Sequence, residues 1–204
     1  MITIVDYGMG NLRNVRRACE AIGVEAVVTS DPATLAAAEQ IILPGVGAFG
    51  EAVKRIEGLR LRAPISEHVA SGRPLLGICL GMQLLFESSE ESPGVRGLGI
   101  LGGVVRKFDA GVKIPHIGWN DVQPVTASSL FPTGLSPAVF YFVHSFFVDP
   151  VPETIAVTEY GNTFASAVGR GKVFGVQFHP EKSQSAGLAL LKHFASCTDR
   201  RGVA

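Results

Sequence analysis

Short apolar runs alternate with stretches of helical periodicity along the first half of the chain. The apolar runs predict buried strands at Ile2–Asp6, Val24–Thr29, Gln40–Leu43 and Pro74–Ile78. The stretches between them predict helices, namely a first helix capped by Asn11 and ended by Gly23, a short helix opened by Asp31-Pro32, and helices near Ala48–Ile56, Ala63–Ser71 and Leu80–Phe86. Such alternation with short connections is typical of a mostly parallel sheet covered by helices.

The second half of the chain is richer in strands, which Gly and Pro turns separate. The strand-like runs are Gly102–Phe108, Val139–Val148, Thr154–Glu159, Phe164–Val168 and Val173–Phe178. They predict antiparallel or mixed additions to the sheet, and a last helix is predicted at Ser185–Cys197. No repeat, low-complexity tract or linker interrupts the pattern. We therefore expect a single α/β domain over residues 1–204, with a central mostly parallel or mixed sheet flanked by helices.

Charge and composition narrow the function classes. The 18 Lys and Arg balance the 18 Asp and Glu, so the chain has zero formal net charge and no electrostatic footprint for nucleic acid. No apolar run approaches the length of a membrane span, and the N-terminus lacks the charged region of a signal peptide. Three cysteines without paired spacing argue for a reducing compartment, so we expect a cytoplasmic protein.

Signals for cofactors are weak. The segment Asp6–Asn11 places a G-x-G pattern between a strand and a helix, but Arg13 stands where a dinucleotide fingerprint needs its third glycine. The spacing of Cys and His residues does not fit a metal site. We therefore expect no cofactor and no metal.

A cysteine lies where a predicted strand passes into a predicted helix. Gly77 and Gly81 flank Cys79 in the pattern Gly-x-Cys-x-Gly, the nucleophile elbow that many hydrolases build around serine. The helix N-terminus there favours a thiolate, which is the reactive form. The alternative is a buried structural cysteine. The other two cysteines, Cys19 and Cys197, lie on helices and are expected to pack in the core.

A cysteine nucleophile needs a base and an orienting group, and His179 with Glu181 fits both roles. An apolar strand ends at His179, and Pro180 keeps that residue extended, so Glu181 can reach back to the imidazole. The alternative is a surface turn at the end of a strand. Two other histidines, His68 and His193, lie near helix ends, where a histidine that is solvated or that satisfies the helix dipole is common. We assign no chemical role to His144.

Acyl transfer also needs donors for an oxyanion. One is expected from the backbone N–H of Leu80, the residue after the nucleophile. A second is expected from Pro44-Gly45-Val46-Gly47, through the backbone of Val46 or Gly47, because glycine lets the chain turn an N–H towards a substrate. Simple chain reversal is the alternative for this turn.

Six sequence blocks together resemble a known family. The blocks GICLGMQLLFE (77–87) and GVQFHPEKS (175–183) resemble the class I (triad) glutamine amidotransferases. Four others, DYGMGN (6–11), PGVGAF (44–49), IPHIGWN (114–120) and YFVHSF (141–146), resemble the branch of that class that serves histidine biosynthesis. Sister enzymes for anthranilate, GMP or pyridoxal phosphate synthesis share the triad but are not expected to carry the last two blocks.

The resemblance implies a reaction and a partner. Cys79 would attack the side-chain amide of glutamine, His179 would protonate the departing ammonia, and water would release glutamate from the thioester. The ammonia is expected to pass, shielded from solvent, to a separate cyclase subunit with a (β/α)8 barrel. Two alternatives stay open, an amidotransferase that feeds a different synthase and a non-catalytic scaffold on the same fold. The intact Cys79, His179 and Glu181 set argues against the scaffold.

The resemblance also implies two sets of binding residues. The ends of glutamine are expected to be held by the side chains of Gln83 and Glu91 and by the backbone of Gly47 and Ser145. The partner interface is expected to include Met9, Asn11, Asn14, Trp119, Asn120, Tyr141 and Lys182. From the residues alone, the alternatives are a solvated helix position for Gln83 and a core aromatic for Trp119. Phe146 stands where relatives can place a tyrosine, which removes a hydroxyl there.

Overall fold

The computed structural model of the protein describes residues 1–131 and 138–198. The described strands are β1 (Ile2–Val5), β2 (Ala26–Thr29), β3 (Ile41–Gly45), β4 (Leu75–Cys79), β5 (Ser88–Ser89), β6 (Val104–Lys107), β7 (His116–Pro124), β8 (Ala138–His144), β9 (Phe146–Val148), β10 (Thr154–Tyr160), β11 (Asn162–Arg170) and β12 (Val173–Val176). The described α-helices are α1 (Leu12–Ala21), α2 (Pro32–Ala36), α3 (Phe49–Gly58), α4 (Arg62–Ala70), α5 (Leu80–Gln83) and α6 (Gln184–Ala195), with 3-10 turns at Pro180–Lys182 and Ser196–Thr198. The single-domain prediction also covers 132–137 and 199–204, which lie outside the described residues.

A nine-stranded sheet with the order β2-β1-β3-β4-β12-β11-β10-β7-β8 forms the centre of the fold. The strands from β2 to β12 in this order pair in parallel, whereas β11, β10, β7 and β8 are added antiparallel. A second sheet has the order β5-β6-β9. The predicted α/β architecture, with a mixed sheet flanked by helices, is therefore confirmed.

Two apolar clusters cover the two faces of the parallel strands. Side chains alternate along a strand, so Ile42 and Leu76 join one cluster while Leu43 and Leu75 join the other. The first cluster is closed by buried residues of α1 and α6, and the second by buried residues of α2, α3 and α4. The sheet thus presents the carboxyl ends of β3 and β4 between two helical layers.

Two predicted helix starts are confirmed by their caps. The side chain of Asn11 accepts a hydrogen bond from the N–H of Asn14 at the start of α1. The carboxylate of Asp31 accepts one from the N–H of Thr34 at 2.8 Å, and Pro32 takes the first helical position of α2. No helix in the described part of the chain is long and apolar enough to cross a membrane.

Strand β7 is absent from the sequence prediction, which treated this segment only as a motif. Its buried positions include His116 and Val122, while Ile117 and Trp119 are exposed. In the first half of β7 the apolar side chains of Ile117 and Trp119 therefore face out, while His116 faces in. This is the inverse of the alternation by which a half-buried strand is recognised.

The predicted strand Val139–Val148 is two strands. The chain leaves the large sheet after His144 and, beyond Ser145, β9 pairs with β6 in the small sheet. The apolar run continues through this change of sheet, so the break leaves no signal in hydrophobicity. The helix predicted over Leu80–Phe86 also ends early, at Gln83, because the N–H groups of Leu85 and Phe86 bond three residues back in tight turns.

Candidate active site

Cys79 stands at a sharp turn between β4 and α5. Its backbone has φ 53° and ψ −110°, which a residue with a side chain rarely adopts. A Cβ on Gly77 would lie 2.6 Å from the carbonyl oxygen of Gly81, and a Cβ on Gly81 would overlap the carbonyl of Leu43. Both flanking glycines are thus required by the turn, as the elbow pattern predicts.

His179 and Glu181 form a buried pair beyond the end of β12. The Nδ1 of His179 lies 2.8 Å from Oε1 of Glu181, and both side chains are almost fully excluded from solvent. Because the carboxylate oxygen accepts, Nδ1 donates this hydrogen bond. The other ring nitrogen, Nε2, lies on the side of the ring away from Glu181. The structure brings the imidazole and carboxylate together as the sequence predicts.

Opposing effects set the charge of the His179 ring. Burial lowers its pKa, but the charge and hydrogen bonding of Cys79, followed by those of Glu181, raise the pKa of His179 to about 10. The imidazolium form is therefore favoured beside the Cys79 sulfur. A cysteine and a histidine arranged in this way are suited to nucleophilic attack followed by protonation of a leaving group.

A cavity of about 430 Å³ opens beside Cys79. Its lining includes the candidate nucleophile, candidate oxyanion donors, every candidate substrate-binding residue and one candidate interface residue. These are Val46, Gly47, Cys79, Leu80, Gln83, Glu91, Ser145 and Lys182. Four lining residues were not singled out as site residues from the sequence, namely Pro115, Val143, His144 and Phe146. A volume of this size can hold an amino acid.

The candidate oxyanion segment begins inside β3 rather than as a free turn. Gly45 is the last residue of β3 and pairs opposite Cys79 on β4. The hydroxyl of Tyr7 donates to the carbonyl of Pro44 at 2.7 Å, which fixes the segment from behind. Gly47 has a φ of +99°, a conformation that favours glycine. The role of the segment as an oxyanion donor stays a prediction.

Gln83 and Glu91 are both anchored at the cavity wall. Gln83 is 5 % exposed, so the alternative of a solvated helix position is wrong. Its Nε2 donates to the carbonyl of Phe146 and to Oε1 of Gln177, each at 3.0 Å. Oε2 of Glu91 accepts from the N–H of Phe49 at 2.7 Å, at the N-terminus of α3. Both side chains are thus held in fixed orientations.

Ser145 is fixed through its backbone at the change of sheet. Its carbonyl accepts a hydrogen bond of 3.2 Å from the N–H of Phe108. The neighbouring Phe146 presents its carbonyl to Gln83. The backbone at these two lining residues is thus held by hydrogen bonds.

Gln177 is a site residue that the sequence prediction missed. It is fully buried, and its Nε2 donates to Sγ of Cys79 at 3.6 Å while its Oε1 accepts from Gln83. The thiol of Cys79 also has the carbonyl of Val143 at 3.9 Å. The available signal was a glutamine inside an apolar strand, two residues before His179, since a buried amide needs partners.

Trp119, Tyr141 and Lys182 form one exposed group near the cavity. Trp119 is 49 % exposed, so the core alternative is wrong. It pairs opposite Tyr141 on β8, with ring centroids 6.0 Å apart, and Nζ of Lys182 lies 5.4 Å from the centre of the Tyr141 ring. Lys182 also lines the cavity, which joins this surface to the site.

Asn120 does not share that face. Adjacent residues of a strand project to opposite sides, and the side chain of Asn120 lies on the inner side, where Nδ2 donates to the carbonyl of Glu159 at 3.0 Å. The role of Asn120 at the partner interface stays a prediction. The alternation also places His144 inside and Tyr141 outside, as expected from the strand period.

The remaining candidate interface residues belong to the N-terminal part of the chain, between β1 and the first turns of α1. The side chain of Met9 is the group nearest to the position of a Cβ on Gly47. Asn11 caps α1, and Asn14 lines a cleft that also contains Arg17 and Glu181. Met9 therefore adjoins the candidate oxyanion segment, and Asn14 lies behind the His179 and Glu181 pair.

The other cysteines and two of the histidines lie away from this chemistry. Cys19 is buried in the core as expected, and burial raises the pKa of its thiol to about 11. Cys197 is half-buried at the end of α6. Of the two roles expected of His68, solvation is wrong, because the side chain is fully buried in the last turn of α4. Its Nε2 contacts the carbonyl of Pro74 at 2.9 Å, and burial lowers its pKa. His193 is half-buried on α6.

Comparisons with known proteins agree with this geometry. A family model described as glutamine amidotransferase class-I matches residues 3–196, so the chain belongs to the class-I glutamine amidotransferase family. Within that family it is similar to proteins named imidazole glycerol phosphate synthase subunit HisH. The relative from Rhodopirellula baltica is 52 % identical, and the alignment covers 96 % of this chain and 97 % of the relative. The relative from Moorella thermoacetica is 47 % identical, and the alignment covers 100 % of this chain and 98 % of the relative.

Solved structures are similar in fold. A crystal structure of a glutamine amidotransferase aligns with a TM-score of 0.78 at 21 % identity, covering 97 % of this chain and 99 % of its own. A structure of PurLQS from Thermotoga maritima aligns with a TM-score of 0.75 at 19 % identity, covering 97 % and 98 %.

Proposed function

We propose that this chain is the glutaminase subunit of imidazole glycerol phosphate synthase, a glutamine amidotransferase of histidine biosynthesis. The observation that carries the proposal is Cys79, held in a strained elbow at the wall of a cavity. Its charge and hydrogen bonding raise the pKa of the buried His179, which Glu181 orients. The similarity to HisH proteins over nearly the whole chain supports the particular pathway.

The chemistry follows from these groups. The Cys79 thiolate attacks the side-chain carbonyl carbon of glutamine, and backbone N–H groups of Leu80 and of Val46 or Gly47 stabilise the oxyanion. His179 gives its proton to the amide nitrogen, so ammonia leaves and a γ-glutamyl thioester remains. His179 then takes a proton from water, which attacks the thioester and releases glutamate and the free thiolate. Glu181 holds the ring and stabilises the imidazolium.

The same cavity supplies recognition of the amino-acid end of glutamine. Glu91 has Oε2 fixed by α3, and its negative charge suits the α-ammonium group. Gln83 and the backbone of Gly47 and Ser145 complete the binding set. No described residue donates to Oε1 of Gln83, so this oxygen is available to a ligand.

The partner in this proposal is the cyclase subunit, called HisF, a (β/α)8 barrel. The outer face of β7 and β8 carries the exposed apolar residues Ile117, Trp119 and Val139, which are 59 %, 49 % and 46 % exposed. Together with Tyr141 we call them the outer patch. Exposed apolar residues grouped beside a reactive cavity are typical of a protein interface.

The delivered product is ammonia, which the cyclase uses to form imidazole glycerol phosphate and aminoimidazole carboxamide ribotide. Ammonia released into bulk water at neutral pH would be protonated and lost as a nucleophile, so it must pass between the subunits without solvent. We place the reaction in the cytoplasm, where the free cysteines of the described chain would stay reduced. We expect little hydrolysis by the isolated chain and strong stimulation by the liganded cyclase.

The test mixes the chain with candidate synthase subunits and measures glutamate release. Stimulation by the cyclase supports the proposal, whereas stimulation only by an unrelated synthase overturns it. Cys79→Ala should abolish glutamate release while the complex still cyclises with added ammonium. Cys197→Ser is the matched control, because Cys197 lies outside the cavity, and it should behave as the unchanged chain.

A further inference from the structure

Two histidines that the reaction does not use are paired inside the sheet. His116 on β7 and His144 on β8 lie opposite each other, with Nδ1 of His116 2.9 Å from Nε2 of His144. Both are buried, and Tyr160 stacks on His116 with ring centroids 3.9 Å apart. Two adjacent imidazoles in an aromatic environment need a fixed arrangement of protons, because a buried polar atom without a partner is costly.

The neighbours of the pair determine which nitrogens carry protons. Nδ1 of His144 lies 2.8 Å from the carbonyl of Phe146, which only accepts, so Nδ1 of His144 donates. In the neutral ring its Nε2 then accepts, and Nδ1 of His116 must donate to it. Nε2 of His116 accepts from Nδ2 of Asn120 at 3.3 Å. Asn120 is itself oriented, since its Oδ1 accepts from the N–H of Asp121 at 2.8 Å.

Every hydrogen bond in this series is donated in the same direction, towards the cavity, where the series ends. It runs from Asn120 through His116 and His144 to the carbonyl of Phe146, which also accepts from Gln83. The second N–H of Gln83 is donated to Gln177, whose own amide donates to the Cys79 sulfur. The amide of Gln83 is thereby oriented with its oxygen free.

Strands β7 and β8 carry the outer patch on one face and the histidine pair on the other. Trp119 and Asn120 are consecutive residues of β7, so a partner that presses on Trp119 acts on the strand that holds Asn120 and His116. Tyr141 and His144 are not consecutive, but they likewise face opposite sides of β8. The two strands therefore connect the exposed apolar surface with the cavity wall.

We propose that His116 and His144 are positioning residues, a neutral pair with both protons on Nδ1 that orients the Gln83 amide through the Phe146 carbonyl and couples the outer patch to the cavity. The coupling part rests on the proposed function, because it assumes that glutamine occupies the cavity and that a partner covers the outer patch. The arrangement of protons does not depend on that function.

The electrostatic environment keeps the pair neutral. Burial lowers the pKa of His116 to about 4 and, together with the neighbouring His116 and His179, lowers that of His144 to about 3. An added proton would leave two N–H groups facing each other at one of the bonds, either between the rings or at Asn120. The directed series therefore exists only in the neutral pair.

The first test observes the protons directly by nitrogen-15 NMR of the imidazole rings in the full chain at pH 7. Free histidine prefers the proton on Nε2, so two rings with the proton on Nδ1 are a distinctive result. The signals are assigned by their loss in His116→Phe and His144→Phe. Finding either ring charged, or with its proton on Nε2, overturns the proposal.

The second test changes the far end of the series without touching the cavity. Asn120→Asp keeps the size of the side chain but replaces the donor with an acceptor, which forces a proton onto Nε2 of His116. In the complex with the cyclase we expect about a tenfold rise in KM for glutamine with a smaller change in kcat, because Gln83 loses its orientation. Tyr160→Phe keeps the ring on His116 and removes only a hydroxyl that donates to Lys113, so it should leave both constants unchanged.

The outcomes separate the two proposals. If Asn120→Asp moves the ring protons but leaves KM unchanged, the positioning role is wrong. If the unchanged chain and its cyclase complex hydrolyse no glutamine, the proposed function fails, while the NMR result still decides whether the proton arrangement exists. A fall in thermal stability equal in Asn120→Asp and Tyr160→Phe, with no change in KM, assigns the residues a purely structural role and overturns the proposal.

Discussion

Gly45 and Cys79 lie opposite each other where β3 pairs with β4. A Cβ on Gly45 would stand 2.9 Å from the Cβ of Leu80 and 3.1 Å from the backbone nitrogen of Gly81. The candidate oxyanion segment therefore packs directly against the first turn of α5. This contact allows backbone groups from two separate elements to meet at one substrate oxygen.

Gly45→Ala tests that contact. The added methyl group has no space between β3 and α5, so we expect a loss of about 1–3 kcal/mol in the free energy of unfolding and a large fall in kcat for glutamine hydrolysis. Chemical denaturation and a glutamate assay measure the two effects. Gly102→Ala is the control, because no atom lies within 4 Å of its Cβ position. Equal behaviour of the two variants would contradict the packing argument.

Glu181→Gln separates the orientation of His179 from its charge. An amide oxygen can still accept from Nδ1, but the negative charge that helps to raise the pKa of His179 is gone. We expect kcat to fall by about 10²–10⁴-fold because the imidazolium is less stable. Steady-state kinetics across a pH range is the measurement. Glu153→Gln, at a partly exposed ion pair with Arg170, should leave kcat as it was.

Gln177→Leu removes the donor to the Cys79 sulfur and the acceptor for Gln83 while keeping the volume. We expect kcat/KM to fall by about 10–100-fold, since both the nucleophile and a binding residue lose a fixed neighbour. The matched control is Gln40→Leu. Gln40 is also buried, and its amide donates to the carbonyl of Phe194 in α6, so its loss should lower thermal stability but not kcat/KM. Similar kinetics for both variants would show that Gln177 is only structural.

The nucleophile elbow could be predicted from sequence because the turn itself dictates its residues. Gly77 and Gly81 have no room for a Cβ, and Asn11 and Asp31 cap helices through side chains only one turn away. Signals of this kind are local. They fix residue types at fixed spacings, so a single sequence carries them.

The parts that were missed depend on distant neighbours. Part of the inner face of β7 is polar because His116 and Asn120 find partners on β8 and β10, which the local sequence does not contain. Gln177 can be recognised as a site residue only through its hydrogen bond to Cys79, which is 98 residues away in the sequence. The burial of His68 depends on a nearer group, the carbonyl of Pro74 in the turn before β4. A polar side chain in the interior can be understood only once the fold has brought its partner to it.

The buried histidine pair should make stability depend on pH. The pKa values of His116 and His144 are lowered in the folded state, to about 4 and about 3, so the unfolded chain binds more protons below pH 6.5. The stability contribution is complete above about pH 6.5 and is lost as the pH falls through 4 to 3, at up to about 1.4 kcal/mol per pH unit for each ring.

Urea denaturation at pH 7 and pH 5 measures this dependence. His144→Phe should reduce the difference in free energy of unfolding between the two pH values, because one titrating ring is gone. Phe142→Leu alters packing beside His116 but keeps both imidazoles, so it should retain the dependence of the unchanged chain. A full dependence in His144→Phe would show that other groups cause it.

Trp119→Ala tests whether the outer patch binds the cyclase. The side chain is half exposed and packs edge-on against Tyr141, so its removal should change the fold little. If it anchors the partner, the dissociation constant should rise by about 30-fold or more, as expected for an aromatic hot spot. Titration of the labelled chain with the cyclase gives the constant. Val125→Ala removes another exposed apolar residue away from the patch and should leave the affinity unchanged. An unchanged affinity for Trp119→Ala would show that the interface lies elsewhere. The cyclase would then have to stimulate glutamine hydrolysis through elements other than β7 and β8.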